Sequence, residues 1–162
     1  MAASAKKENL IVLRPVTPED DSFLAGLYAS TRTEELAQTN WSDEQKAMFC
    51  RMQFNAQTAD YQKNYPDASF RIIERGGVAA GRLLVMRSDD AIHVIDIALL
   101  PEHRGACIGT KLLKELQEEA RAAGKKLSIY VERFNPARRL YDRLGFQQVE
   151  EKEVYLLLHW SS

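Results

Sequence analysis

The chain has 162 residues, enough for one domain with a real core and too few for a separate substrate domain. Hydrophobic residues make up 45% and charged residues 28%, the balance of a soluble globular protein, which excludes a disordered or fibrous chain. Lysine plus arginine (22) nearly cancels aspartate plus glutamate (23), so no overall basic field recruits nucleic acid, and no apolar run reaches the ~20 residues of a membrane span.

Residues 1–7 read as a loose tail and 8–162 as a single domain without repeats, linkers or low-complexity tracts. The opening MAASAKKENL lacks the apolar centre of a secretory signal. Cys50 and Cys107 offer neither a disulfide framework nor metal-ligand spacing, so a reducing, cytoplasmic setting and no metal are expected. The apolar run at 10–13 predicts a first strand. Thr17-Pro18-Glu19-Asp20 then opens a helix with proline near its first position, expected to run to about Ser30. Ser42-Asp43-Glu44-Gln45 has the capping-box form of a second, longer helix, on which Phe49, Met52, Ala56 and Ala59 recur at helical spacing. It ends before Tyr65-Pro66.

From Ser69 the period shortens. Three consecutive strands fit, at 70–74, 78–86 and 92–99, separated by Gly76-Gly77 and Ser88-Asp89-Asp90. After Pro101 a helix is expected with Ile108, Leu112, Leu116, Ala120 and Ala123 on one face, Gly124 as its stop, and Arg121, Lys125 and Lys126 near its negative end. A strand at 127–131, a short helix at 136–144 with Asn135 as its N-cap, Pro136 at its first position and Gly145 as its stop, and a closing hairpin at 147–149 and 154–159 complete a mixed α/β layer structure.

Arg104-Gly105-Ala106-Cys107-Ile108-Gly109-Thr110 lies between a strand and the most regular helix. Free N–H groups at such a helix start form an anion site that suits a pyrophosphate. A tight turn that binds nothing is the alternative. The loop is neither GxGxxG nor GxxxxGK[ST], which excludes the dinucleotide and Walker readings. Ile97-Ala98-Leu99-Leu100-Pro101-Glu102-His103 leads into it, and Asn135-Pro136-Ala137-Arg138-Arg139-Leu140-Tyr141-Asp142-Arg143-Leu144-Gly145-Phe146 follows one strand later. Together these resemble the GNAT N-acetyltransferase superfamily, in its [QR]xxGx[GA] loop and its Asn…Ala…LYxxxGF signature, over essentially the whole chain from about Leu10. One position departs: Cys107 replaces the first glycine of the loop. If its φ and ψ are helical, the cost is steric only, and weakened cofactor binding is expected; a regulatory thiol is the alternative.

The resemblance implies the GNAT fold: a mixed, mostly antiparallel sheet of about seven strands, helices on both faces, and splayed fourth and fifth strands. It implies acetyl-CoA-dependent transfer to a primary amine by direct attack in a ternary complex. Cofactor contacts are then Ile97, Ala98 and Leu99 for the acetyl and pantetheine end. Gly105, Ala106, Cys107, Ile108, Gly109 and Thr110 hold the pyrophosphate, Arg104 beside them is a further cofactor contact, and Asn135, Arg138 and Tyr141 follow at the next helix. On its helical stripe with Ala137, Leu140 and Leu144, Tyr141 reads as an ordinary core aromatic; the resemblance makes it the general acid, a role open to a phenol of pKa ~10 that keeps its proton at neutral pH. His93, Asp96 and Glu132 are the candidate bases, each of which also fits an ordinary paired or solvated polar residue. Tyr28, Trp41, Phe54 and Tyr130 are candidates for the acceptor wall, beside carboxylates at Glu34, Glu35, Asp43 and Glu44 that would suit a cationic amine. Ordinary core aromatics fit the same residues. The acceptor, a small molecule or a peptide or protein amine, is left open. So is a monomer or a homodimer, with the closing hairpin and sheet edges as pairing surfaces. A non-catalytic acyl-CoA-binding module of the same fold is the functional alternative, and an α/β nucleotide-binding protein the next.

Overall fold

The computed structural model describes residues 9–162, so the expected tail at 1–7 lies outside the described residues. In chain order the elements are β1 (Ile11–Pro15), a 3-10 turn (Pro18–Asp20), α1 (Asp21–Ala37), α2 (Asp43–Asn64), β2 (Ser69–Arg75), β3 (Val78–Arg87), β4 (Ala91–Leu99), a second 3-10 turn (Pro101–His103), α3 (Ile108–Ala123), β5 (Lys126–Glu132), α4 (Arg138–Arg143), β6 (Gln147–Lys152) and β7 (Tyr155–Trp160). The strands form a seven-stranded sheet in the order β1-β2-β3-β4-β5-β7-β6. Pairing is parallel at β4–β5 and antiparallel at β1–β2, β5–β7 and β6–β7. This is the α/β arrangement the sequence leads one to expect. The described residues divide into two compact units, one comprising residues up to Arg82 and Ala98–Arg104, the other Leu83–Ile97 and Gly105–Ser162.

In the first unit, β1 is pinned by ion pairs. Arg14 donates to both oxygens of Asp20 (2.7 and 2.9 Å) and to Glu74 (3.0 Å), while the Thr17 amide also donates to Asp20 (2.8 Å). The Arg14 guanidinium, and then the Thr17 amide, hold the Asp20 carboxyl well below the usual carboxylate range even though burial opposes this. Helix α1 runs to Ala37, past the expected end near Ser30. Its serine and threonine hydroxyls donate back to helix carbonyls (Ser30 to Leu27, Thr31 to Tyr28, both 2.6 Å), and Leu36 is buried with Tyr28, Cys50 and Phe54, so packing outweighs the weak propensity of the Ser-Thr stretch. Helix α2 carries the expected capping box, with Ser42 Oγ accepting from the Gln45 amide (3.1 Å) and Gln45 Oε1 from the Ser42 amide (2.9 Å). Its buried residues are Cys50 and Phe54; of the residues at helical spacing, Phe49 is half-buried and Met52, Ala56 and Ala59 are exposed. Cys50, Phe54 and Tyr61 lie almost opposite the exposed three on the helix and take the packed side, while Phe49, on the same stripe as Met52, packs only at the edge of that cluster. Strand β3 needs glycine at Gly81, because a Cβ there would overlap the Ala98 carbonyl oxygen.

In the second unit, β4 and β5 pair as Ala91↔Lys126, Ile92↔Leu127, His93↔Ser128 and Val94↔Ile129. The ladder stops there, while β4 continues to Leu99 and β5 to Glu132, which is the splay that the resemblance implies. Helix α3 buries Ile108, Leu112, Leu113, Leu116 and Ala120. Gly124 closes it in the left-handed conformation (φ 66°), and the Lys125 amide reaches back to the Ala120 carbonyl (2.9 Å), as the sequence predicts. Buried Gln117 donates to the Leu144 carbonyl (2.8 Å) and so ties α3 to the end of α4. Strand β7 pairs with both β5 and β6, and β6 is exposed throughout with a bulge between Gln148 and Glu150.

Candidate active site

The loop into α3 departs from the expected backbone at one residue. Cys107, its exposed N-cap, has φ 62° and ψ 19°, a left-handed conformation, so the cost of a side chain there is torsional as well as steric. The reason is visible in the loop: Gly105 is also at positive φ (79°), and the chain must reverse before Ile108 starts the helix. Helix hydrogen bonding begins with the Lys111 amide on the Cys107 carbonyl (3.0 Å), which leaves the amides of Ile108, Gly109 and Thr110 without an intrahelical acceptor. No carboxylate occupies the first turn. Around Gly105 a Cβ would meet nothing within 4 Å, and around Gly109 only a Leu140 methyl at 3.8 Å. These residues fit an anionic diphosphate. Ile108 is buried, Thr110 half-buried, and Arg104 to Cys107 exposed. Ile97, Ala98 and Leu99 are half-buried; the Ala98 carbonyl lies against Gly81, and the Leu99 carbonyl accepts from Arg104 Nε (3.1 Å).

Tyr141 lies on α4 with 4% of its surface exposed, its ring edge-to-face with Phe146 (centroids 5.6 Å apart). Burial, with the negative charge of Asp96 adding to it, pushes the phenol up to about 12. None of the described hydrogen bonds involves its hydroxyl. Asn135 does not cap α4 directly. Its Oδ1 accepts from the Ala137 amide (2.8 Å), closing a turn through Pro136, and the helix spans Arg138–Arg143 instead of 136–144. Arg138 donates to the Arg133 carbonyl (2.8 Å). Asn135, Arg138, Arg133 and Arg139 line a cavity of about 360 Å³ beside Phe134.

The three candidate bases stand in different surroundings. His93 Nδ1 is hydrogen-bonded to Ser128 Oγ (2.8 Å), and its ring is edge-to-face with Tyr130 (5.4 Å). Burial, and then His159, push its pKa below the ordinary 6.5. Ser128 is buried, and its neighbours in register are His93 on β4 and His159 on β7, so the three residues form one row across the sheet. Burial, and then Lys126, lower His159 too. Asp96, three residues along β4, adds its negative charge to the burial that raises Tyr141. Glu132 is exposed at the end of β5. Ser128 and His159 went unmarked in the sequence; strand register is what brings them to His93.

The candidate acceptor residues separate. Tyr130 accepts from Lys152 Nζ (3.3 Å) and lies beside His93. Tyr28 and Phe54 are core residues of the α1–α2 pair, their rings 6.1 Å apart, and Tyr28 also accepts from Arg32 (3.2 Å). Trp41 rests edge-on against Phe49 (5.2 Å) and is 39% exposed. Among the described residues no cluster could hold a metal ion, and no helix is long and apolar enough to cross a membrane.

Residues 32–146 match the acetyltransferase (GNAT) family, more than half of the chain. The chain belongs to that family. It is an N-acetyltransferase of the GNAT type, and the acyl donor of these enzymes is acetyl-CoA. Solved structures agree on the fold. PaiA N-acetyltransferase from Thermoplasma acidophilum, in complex with coenzyme A, superposes with a TM-score of 0.70 at 18% identity, over 94% of this chain and 99% of that one. An acetyltransferase from Thermus thermophilus gives 0.67 at 18% identity (94% and 97% covered), and Ard1 from Thermoplasma volcanium 0.60 at 16% identity (93% and 96%). No curated protein matches the chain.

Proposed function

We propose that this GNAT protein transfers acetyl directly to a primary amine in a ternary complex, with Tyr141 as general acid and His93 as general base. The observation that carries this reading is Tyr141, a buried phenol with a raised pKa and no hydrogen bond to its hydroxyl among the described residues. Acetyl-CoA, when bound, supplies the activated acyl group. The amides of Ile108, Gly109 and Thr110 are suited to its diphosphate, and Gly105 and Gly109 let backbone come close. Asn135 and Arg138, which line the cavity beside Phe134 with Arg133, Arg139 and Asp142, fit the same ligand. Tyr141 Oη holds the proton that a departing thiolate needs. Because burial holds the phenol protonated up to about pH 12, it keeps that proton under any physiological condition.

His93 suits the base role better than its rivals. Burial lowers its pKa, which keeps the ring neutral and basic at pH 7, and the hydrogen bond between Nδ1 and Ser128 Oγ fixes the ring's orientation. Asp96 acts instead on Tyr141, where its charge helps the phenol retain its proton. The acceptor is an amine-bearing small molecule or a peptide or protein amine. Tyr130, beside His93, is the aromatic residue best suited to contact it, whereas Tyr28 and Phe54 serve the core. The test is thiol release from acetyl-CoA against a panel of amines. Release that depends on the amine, with intersecting initial-velocity lines, is expected. Binding of coenzyme A without release for any amine would instead favour a non-catalytic binding module.

A further inference from the structure

We propose that the outer face of α2 docks on the same face of a second copy of this chain, the two helices antiparallel about a two-fold axis. The helix is 22 residues long, about 33 Å. Its packed side holds Cys50 and Phe54. On the other side Gln45, Met48, Met52, Asn55, Ala59 and Gln62 follow one another at alternating three- and four-residue steps, the spacing of a coiled-coil seam. All six are exposed, Met48 at 68% and Met52 at 60%. The seam is uncharged. The charges beside it are either engaged within the chain, as Arg51 is with Asp21 (2.7 Å) and Asp60 with Asn64 (2.7 Å), or stand at its two ends, Glu44 first and Lys63 last.

Those end charges decide the partner and its direction. When the helix is laid against its own reverse, Glu44 meets Lys63, Gln45 meets Gln62, Met48 meets Ala59 and Met52 meets Asn55. Opposite charges, two amides, and a long side chain over a methyl group face one another, and the Asn55 amide near the axis fixes the register. Antiparallel helix dipoles add to the match. A parallel pair would set Glu44 on Glu44 and Lys63 on Lys63. The edge strand β6 is the poorer pairing surface, since it presents Glu150, Glu151 and Lys152 and a bulge. This docking is independent of the acyl-transfer reading.

Sedimentation of the full chain at micromolar concentrations tests it. A dimer is expected, with Met52→Glu raising its dissociation constant at least about tenfold while the circular dichroism melt of the dilute, monomeric chain stays put, because Met52 is solvent-exposed within one copy. Glu44→Lys should weaken the dimer, and adding Lys63→Glu to the same chain should restore it. In a Cys107→Gly background, Met48→Cys chains mixed with Ala59→Cys chains should cross-link. Met48→Cys chains alone should not, their thiols being offset by about 16 Å along the axis. A monomer at every concentration, a dimer indifferent to Met52→Glu, or no cross-link between positions 48 and 59 would each overturn the proposal.

Discussion

Cys107 holds a backbone conformation in which a Cβ crowds the following carbonyl, at roughly 1–2 kcal/mol for an L-residue. Cys107→Gly should therefore stabilise the protein by about 1 kcal/mol in denaturant titrations. It should also tighten coenzyme A binding by removing bulk beside the three open amides. A substitution that leaves both the midpoint and the affinity unchanged would remove the strain from the account. Positive φ was not legible at this residue, because cysteine carries no preference for it; only the turn forced by Gly105 and the start of α3 reveals it. The base is a second residue-scale matter. Ser128→Ala should lower kcat about tenfold by releasing the His93 ring, with a smaller effect on the acetyl-CoA KM. In the parent protein the limb of kcat that follows His93 deprotonation should lie below pH 6.5, since burial lowers that pKa, and His93→Gln should abolish the limb. A limb unaltered by His93→Gln would assign the base elsewhere. Tyr141 was legible through the LYxxxGF signature, whereas Ser128 was not, because a lone serine in a strand carries no signal until its register is known.

At the scale of elements, most bounds could be read from local chemistry. The Ser42 capping box, the Gly124 stop and the Gly76-Gly77 turn each declare themselves in sequence and stand where expected. What failed depended on packing. Helix α1 outlasts its propensity because Leu36 is buried, and α2 shows the smaller apolar stripe to water because the aromatic one packs better. At α4 the asparagine side chain caps a turn instead of the helix, since Pro136 holds the chain in that turn. Two substitutions measure how far these elements are fixed. Ser42→Ala should cost about 1 kcal/mol, the usual loss of an N-cap. Gly81→Ala should be far more damaging, because the added methyl overlaps the Ala98 carbonyl and one strand must move. Equal melting curves for the two variants would contradict the close approach.

For the whole molecule, acid should act in two stages. His93 and His159 have pKa values lowered by burial, so the unfolded chain takes up protons more readily. Their contribution is complete above about 6.5 and drains away as pH falls through the lowered values. Asp20, held low by Arg14, contributes fully above its ordinary 3.8 and loses that contribution only as pH falls further toward its depressed value. Melting temperatures from pH 8 downward should thus begin to drop near pH 6.5, and His93→Gln should flatten that first step. A curve level down to pH 4 would contradict neutral histidines in that row. The order of elements and the two signatures made the family legible from sequence, because a binding loop and its helix are local. The acceptor was not legible, because an acceptor surface is assembled from distant segments. The most direct test of the account is Tyr141→Phe, assayed for amine-dependent acetyl transfer and, on the same preparation, for coenzyme A affinity by calorimetry. Turnover should fall by about 10²-fold or more with affinity within a few-fold of the parent, as the loss of a general acid requires. Unchanged turnover, or a loss explained wholly by weaker coenzyme binding, would contradict the role given to this phenol.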